Sequence, residues 1–329
     1  MGDHYLPQVL LKGFAASGSN GMKAYLFRSE AEPKLVSIKK VAQEHSFHGR
    51  RDQSDLELKM SQLESHYAAA IRAARQGECG NYVPELCRFV ANISARTRNV
   101  REGFSGAVEV MLSAAPDALS TDKHLKKIRN QARKTAMRNL REKFPALSPR
   151  LIRLKVDLLL KDEMGKKDMS KFIKTGVQQV VSQLDVPEMT MKAHNQALGN
   201  TFKDTERVEL LKSFSWAVDL RAEPTWVLGD VGCIAKLFNS ETLCNVLMAG
   251  KEELEAVCLP ISDKALLIGR SPQSRYQPDA KRVNQASAGL SQDFFVASVL
   301  TDGERALKHL IGLRSRLMSD DELKRIMQS

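Results

Sequence analysis

The chain has 329 residues, 43% of them hydrophobic and 27% charged, with a formal net charge of +11 at pH 7. That balance supports a packed core and excludes an intrinsically disordered chain. No run of about 18 apolar residues occurs, which excludes a transmembrane helix. Met1-Gly2-Asp3-His4 lacks the basic and apolar segments of a secretory leader, and the five cysteines (Cys79, Cys87, Cys233, Cys244, Cys258) contain no CxxC pair, so reduced thiols in a cytoplasmic protein are expected.

Residues 1–50 read as a short extended module: Lys23–Phe27 and Leu35–Ile38 are strand-like, separated by polar residues and Pro33 as in a hairpin. Helices are then expected to about residue 217. Ser54-Asp55 can cap one that runs to about Gln76, where Gly77 ends it, with Leu56, Met60, Leu63, Tyr67, Ala70 and Ile71 at helical spacing. Pro84 suits the first turn of a second, which carries Leu86, Phe89, Val90 and Ile93. Others are expected at about 104–115, stopped by Pro116, at 122–144, 148–163, 168–183 and 188–217. After Pro224 the pattern changes to short apolar runs, Thr225–Leu228, Ala256–Leu259 and Ala265–Ile268, which read as strands. Helices at about 281–298, 303–317 and 320–327 close the chain. The expected fold is α+β, one domain over 1–329. It has a helical body at 54–217 and a small sheet built from the N-terminal module and the segment after 224.

The string His4-Tyr5-Leu6-Pro7-Gln8-Val9-Leu10-Leu11-Lys12-Gly13-Phe14 resembles the HYxPQxxLxxF opening of the domain-of-unknown-function 4238 family. Further likenesses follow in order along the chain. They are Glu57 and Glu64, Arg96 to Arg101 (an RTPxxR motif in which Arg98 replaces the proline), Thr225-Trp226 through Asp230, Leu259-Pro260-Ile261-Ser262, and Val283-Asn284. Gly229-Asp230-Val231-Gly232 keeps the family's aspartate and departs from its SDNPV pattern. The resemblance implies a bacterial antiphage setting, in which some members resemble single-protein defence systems.

Four side chains could do acid–base chemistry. Glu57 and Glu64, seven residues apart, share one side of a helix. They can hold a divalent metal such as magnesium, with His4 as a third ligand, or one can act as general base. The alternative is two solvated glutamates. Asp230 closes a strand, a common place for a catalytic carboxylate and equally for a turn-forming one. Arg96 and Arg101 suit a phosphate, or else pair with Glu57 and Glu64 in a buried network. His45 and His48 flank Phe47 as lesser candidates.

Residues 122–143 carry nine basic side chains against two acidic ones. Lys123, Lys126, Lys127, Arg133, Lys134, Arg138 and Arg141 share one helical face, and Leu125, Ile128, Ala132, Ala136 and Leu140 the other. Such a helix can track a phosphate backbone, meet an anionic membrane or a protein partner, or simply present a solvated face. No GxxxxGK[ST], GxGxxG, GxSxG or HExxH string occurs. The expectation is an antiphage effector that acts on nucleic acid as a hydrolase or nuclease. The alternative is a non-enzymatic protein that binds or senses a phage component, in which the polar motif residues are a structural network.

Overall fold

The computed structural model describes residues 3–20, 22–44, 54–162, 166–201 and 203–317. They fold into two compact units. One takes in the described residues up to 105 and from 188 onward; the other takes in those of 106–187. The protein is α+β with a mostly helical body, as its sequence pattern predicts.

The first unit opens with β1 (Asp3–His4), α1 (Gln8–Leu11), the hairpin β2 (Lys23–Arg28) and β3 (Ala31–Ser37), and β4 (Gln43–Glu44). Strands β1 and β4 pair antiparallel, His4 opposite Gln43 and Asp3 opposite Glu44. Pro33 lies inside β3 rather than in the turn, which an edge strand tolerates because it loses no ladder donor. Helix α2 (Ser54–Ala74) is followed by Gly77 at φ +88°, the left-handed position that glycine takes without strain. Helix α3 (Val83–Ala95) carries Pro84 in its first turn, and every residue from Phe89 to Ala95 is buried, so it lies deep in the core of this unit. Helices α8 (Val186–Asn200), α9 (Glu206–Lys212), α10 (Ala280–Leu290) and α11 (Asp302–Leu307) complete its helical part.

Two antiparallel sheets stand in the same unit. One has the order β3-β2-β11-β6, joining the N-terminal hairpin to β11 (Phe295–Ala297) and β6 (Leu228–Gly229). The other has five strands in the order β5-β10-β9-β7-β8, namely Ser215–Leu220, Ala265–Arg270, Leu254–Pro260, Ile234–Leu237 and Leu243–Asn245. One hydrophobic core joins Leu10, Phe14, Tyr67, Phe89, Ile93, Trp226, Ile234, Leu259, Leu267 and Phe294. Each fully buried Leu, Ile or Phe contributes about 1.5–3 kcal/mol before chain entropy is set against it.

Several boundaries differ from the expected ones, among them the helix expected over 303–317, which is α11 (Asp302–Leu307) and one 3₁₀ turn that ends at Leu310. The helix expected over 188–217 is α8, α9 and strand β5: Thr205 starts α9 by accepting from the Val208 N–H at 3.3 Å, and Trp216 and Val218 alternate in a strand against β10. The helix expected over 281–298 ends at Leu290, and Phe295–Ala297 is a strand between β2 and β6. Of the run Thr225–Leu228, only Leu228 is in a strand. Pro116 does not stop its helix, because α4 (Arg98–Leu119) ends three residues later and loses only one hydrogen bond to it. The helix expected at 320–327 lies outside the described residues.

The second unit comprises the later turns of α4 with α5 (Asp122–Lys143), α6 (Pro149–Asp162) and α7 (Lys166–Val181). Leu125, Ile152 and Val156 are buried in it. Ion pairs tie Arg133 of α5 to Asp157 of α6 at 2.7 Å and Lys174 of α7 to Asp117 of α4 at 2.6 Å. The apolar side of α5 is only partly covered: Leu125 is buried, while Ile128 and Ala132 are exposed.

Candidate functional site

The end of α3 places Arg96 inside the first unit, its side chain 5% exposed. Its Nη1 donates to Glu64 Oε1 at 2.6 Å, from α2, and its Nη2 donates to the backbone carbonyl of His4. Arg96 Nε has no hydrogen-bond partner among the described residues. His4 Nε2 bonds to the Lys39 carbonyl at 2.9 Å, an acceptor, so that nitrogen carries the proton. Glu57 is on α2, but its side chain lies outside the described residues, as do His45 and His48.

A second group starts from β4. Glu44 accepts from Arg101 Nη1 at 3.0 Å and lies 4.0 Å from Arg98 Nε. Arg98 also pairs with Asp293 and, at 3.4 Å, with Glu102. Asp293 belongs to the turn whose N–H groups feed Asp230: Oδ1 accepts from Gln292 at 2.8 Å, and Oδ2 from Asp293 at 2.7 Å and Phe294 at 3.2 Å. Asp230 is fully buried. Burial pushes its pKa up to about 7; the three N–H donors oppose that rise, and the charge of Asp293 adds to it. Tyr5 packs on Phe294 with ring centroids 6.2 Å apart, and burial, with Asp230 and Asp293 adding, pushes its phenol pKa up, so it stays protonated.

The structure brings His4, Glu64 and Arg96 together in one polar group and places Arg101 in a second that ends at Asp230; the pairing of β1 with β4, His4 opposite Gln43, sets the two side by side. The second group runs from Arg101 through Glu44, Arg98 and Asp293, none of them among the candidate residues that the sequence offers. Arg98 had a signal, since it stands where the motif has proline; Glu44 and Asp293 had none.

The remaining motif residues are joined by backbone-directed bonds. Arg75 donates to the carbonyls of Ile261 at 2.8 Å and Val9 at 2.7 Å, tying the opening string to the Leu259–Ser262 element. Asn284 accepts from the Val227 N–H at 3.1 Å and donates to the Thr225 carbonyl at 2.7 Å, clamping the segment around the buried Trp226. The Asp263 carbonyl accepts from the N–H groups of Thr225 at 2.7 Å and Trp226 at 2.9 Å.

As magnesium ligands, Glu64 and His4 fit poorly. Glu64 is engaged by a guanidinium, which would sit against the cation, and the His4 Nε2 atom is already bonded. Among the described residues, no group of three or more His, Cys, Asp or Glu side chains could hold a metal ion. As phosphate ligands, Arg96 and Arg101 are each held by a carboxylate.

The seven basic residues of α5 lie in the second unit. Lys123, Lys126, Lys127, Lys134, Arg138 and Arg141 are exposed, while Arg133 is half-buried and held by Asp157. Residues 106–187 carry seventeen Lys and Arg against nine Asp and Glu, a net +8 of the chain's +11.

The chain belongs to the domain-of-unknown-function 4238 family: the family described as protein of unknown function (DUF4238) matches residues 3–302. No curated protein and no solved structure matches it. No helix among the described residues is long and apolar enough to cross a membrane.

Proposed function

We propose that the protein binds nucleic acid through the exposed basic face of α5, and that its polar motif residues hold the first unit together rather than hydrolyse a substrate. One observation carries the binding reading. Six basic side chains, Lys123, Lys126, Lys127, Lys134, Arg138 and Arg141, are exposed on one helical face with no ion pair among the described residues. Their positions span about 27 Å at about 1.5 Å per residue, long enough to follow several successive phosphates. Attraction of this kind is independent of base sequence and sensitive to salt.

The structural reading of the motifs rests on how their carboxylates are used. Glu64 is taken by Arg96, Glu44 by Arg101, Asp293 by Arg98, and Asp230 by three backbone N–H groups. A general base needs a lone pair directed at substrate, and these groups direct theirs at the protein. The antiphage setting implied by the family resemblance supplies the target in this reading, the nucleic acid of an invading phage.

The experiment is a fluorescence-polarisation titration of the full chain with double- and single-stranded DNA and with RNA from low to physiological salt. Parallel incubations with magnesium look for strand cleavage. Salt-dependent binding without cleavage is the expected result. Absence of binding at low salt would remove the binding reading. Cleavage that disappears in a folded Glu64→Gln variant would restore the hydrolase reading.

A further inference from the structure

Helix α6 turns two different apolar faces in two directions. Ile152 and Val156 are buried, whereas Leu151, Leu154 and Leu158 are 54%, 60% and 54% exposed. The three leucines recur at i, i+3 and i+7 and cover an arc of about 60°, at about 100° per residue. A helix that faces a core usually shows an apolar arc of about 100° or more; a strict strip of this narrower width is the seam of a coiled coil. Single exposed leucines are ordinary, but three in register form a patch.

The flanks of the strip are basic. On the helical wheel Lys155 borders it on one side and Arg150 on the other, and both are exposed. Asp157, beyond Arg150, is neutralised by Arg133 at 2.7 Å. In a helix pair, the residues that border the seam choose the partner by charge.

We propose that α6 docks an acidic amphipathic helix of a partner protein, whose apolar seam meets Leu151, Leu154 and Leu158 and whose carboxylates face Arg150 and Lys155. A second copy of this chain would bring one basic flank against another. A lipid surface calls for a broader apolar face than this strip. The inference concerns a different helix from the nucleic-acid face and does not depend on it.

The probe is a synthetic three-heptad helix with leucine at both seam positions and glutamate beside them, titrated against the full chain by fluorescence anisotropy. Binding should be saturable. It should be at least tenfold weaker for the Leu154→Gln/Leu158→Gln double variant and for a peptide of the same composition with its leucines out of register. Arg150→Glu/Lys155→Glu should shift the preference to a lysine-flanked peptide. The leucines are exposed, so these variants should melt like the wild type. Equal binding of the out-of-register peptide would overturn the proposal, as would loss of binding on reversing Lys127, Lys134 and Arg138 but not on changing the leucines. A dimer dissolved by Leu154→Gln would assign the strip to a second copy. Leucine-dependent binding to phosphatidylglycerol vesicles with none to the peptide would assign it to a membrane.

Discussion

Arg96 and Glu64, thirty-two residues apart in sequence, meet at 2.6 Å, with the arginine side chain 5% exposed and the glutamate 27%. The guanidinium also holds the carbonyl of His4, so one side chain joins α2, the end of α3 and the N-terminal strand. A buried guanidinium is costly to desolvate and is kept only where its partners are in place.

Glu64→Gln should therefore destabilise the protein. The change leaves a nearly buried Arg96 without its counter-charge. Breaking such a pair costs about 3–5 kcal/mol when both groups are buried, and roughly 2–4 here because Glu64 is partly solvated. Urea denaturation reads this directly. A variant as stable as the wild type would mean that the pair does not hold the fold, and would reopen a chemical role for Glu64.

Two buried groups should pull the pH dependence of stability in opposite directions. His194, buried against the Ala95 carbonyl, has its pKa lowered from 6.5 to about 4 by desolvation. Its contribution is present above 6.5 and falls by roughly 3 kcal/mol as pH drops toward 4, because the unfolded chain takes up the proton first. Asp230 is raised from 3.8 to about 7, so its contribution is present below 3.8 and is lost as pH rises through 7. Melting curves between pH 4 and 7 should show stability rising with pH in Asp230→Asn and falling with pH in His194→Gln, with the wild type flatter than either. Profiles parallel to the wild type in both variants would show that neither group titrates as its burial requires.

Gly229→Ala should cost about 3 kcal/mol or more. A Cβ there would lie 2.2 Å from both the Ser287 carbonyl oxygen and Ser291 Oγ, so the α10 backbone would have to move. Gly176→Ala on α7 is the control: nothing lies within 4 Å of the added Cβ, and helix propensity favours the change by about 0.5–1 kcal/mol. Equal melting temperatures for the two variants would contradict the packing described here.

Much of the fold is legible in local pattern. The hairpin at Lys23–Ser37, the start of α3 at Pro84 and the break after Gly77 each follow from a residue's own backbone preference. Strands β5, β7 and β8 are not legible in the pattern: Ser215–Leu220 pairs with the distant Ala265–Arg270, while Ile234–Leu237 and Leu243–Asn245, which pair with each other, are too short to show an alternation. Likewise His4, Glu64, Arg96 and Arg101 could be picked out by motif, whereas Glu44 and Asp293 could not. Asp293 is 195 residues from Arg98, and no periodicity encodes a pairing over that distance.

The last prediction concerns Arg133, the one member of the α5 set held by a carboxylate among the described residues. Asp157 binds it at 2.7 Å and subtracts one charge beside the basic face. If that face binds phosphate by displacing counterions, each added contact steepens the fall of log K with log salt by about 0.9 for duplex and about 0.7 for single strands. Asp157→Ala frees Arg133 and should tighten binding while steepening the slope by about one contact. Replacing Lys127, Lys134 and Arg138 by Glu should weaken binding and flatten the slope by about three contacts. The pair of variants separates a specific face from diffuse attraction to a basic protein. A control reversal of three exposed lysines in the first unit, Lys39, Lys264 and Lys281, changes the net charge by the same amount as the α5 triple. If the control flattens the slope as much as the α5 triple does, the face of α5 is not where nucleic acid binds.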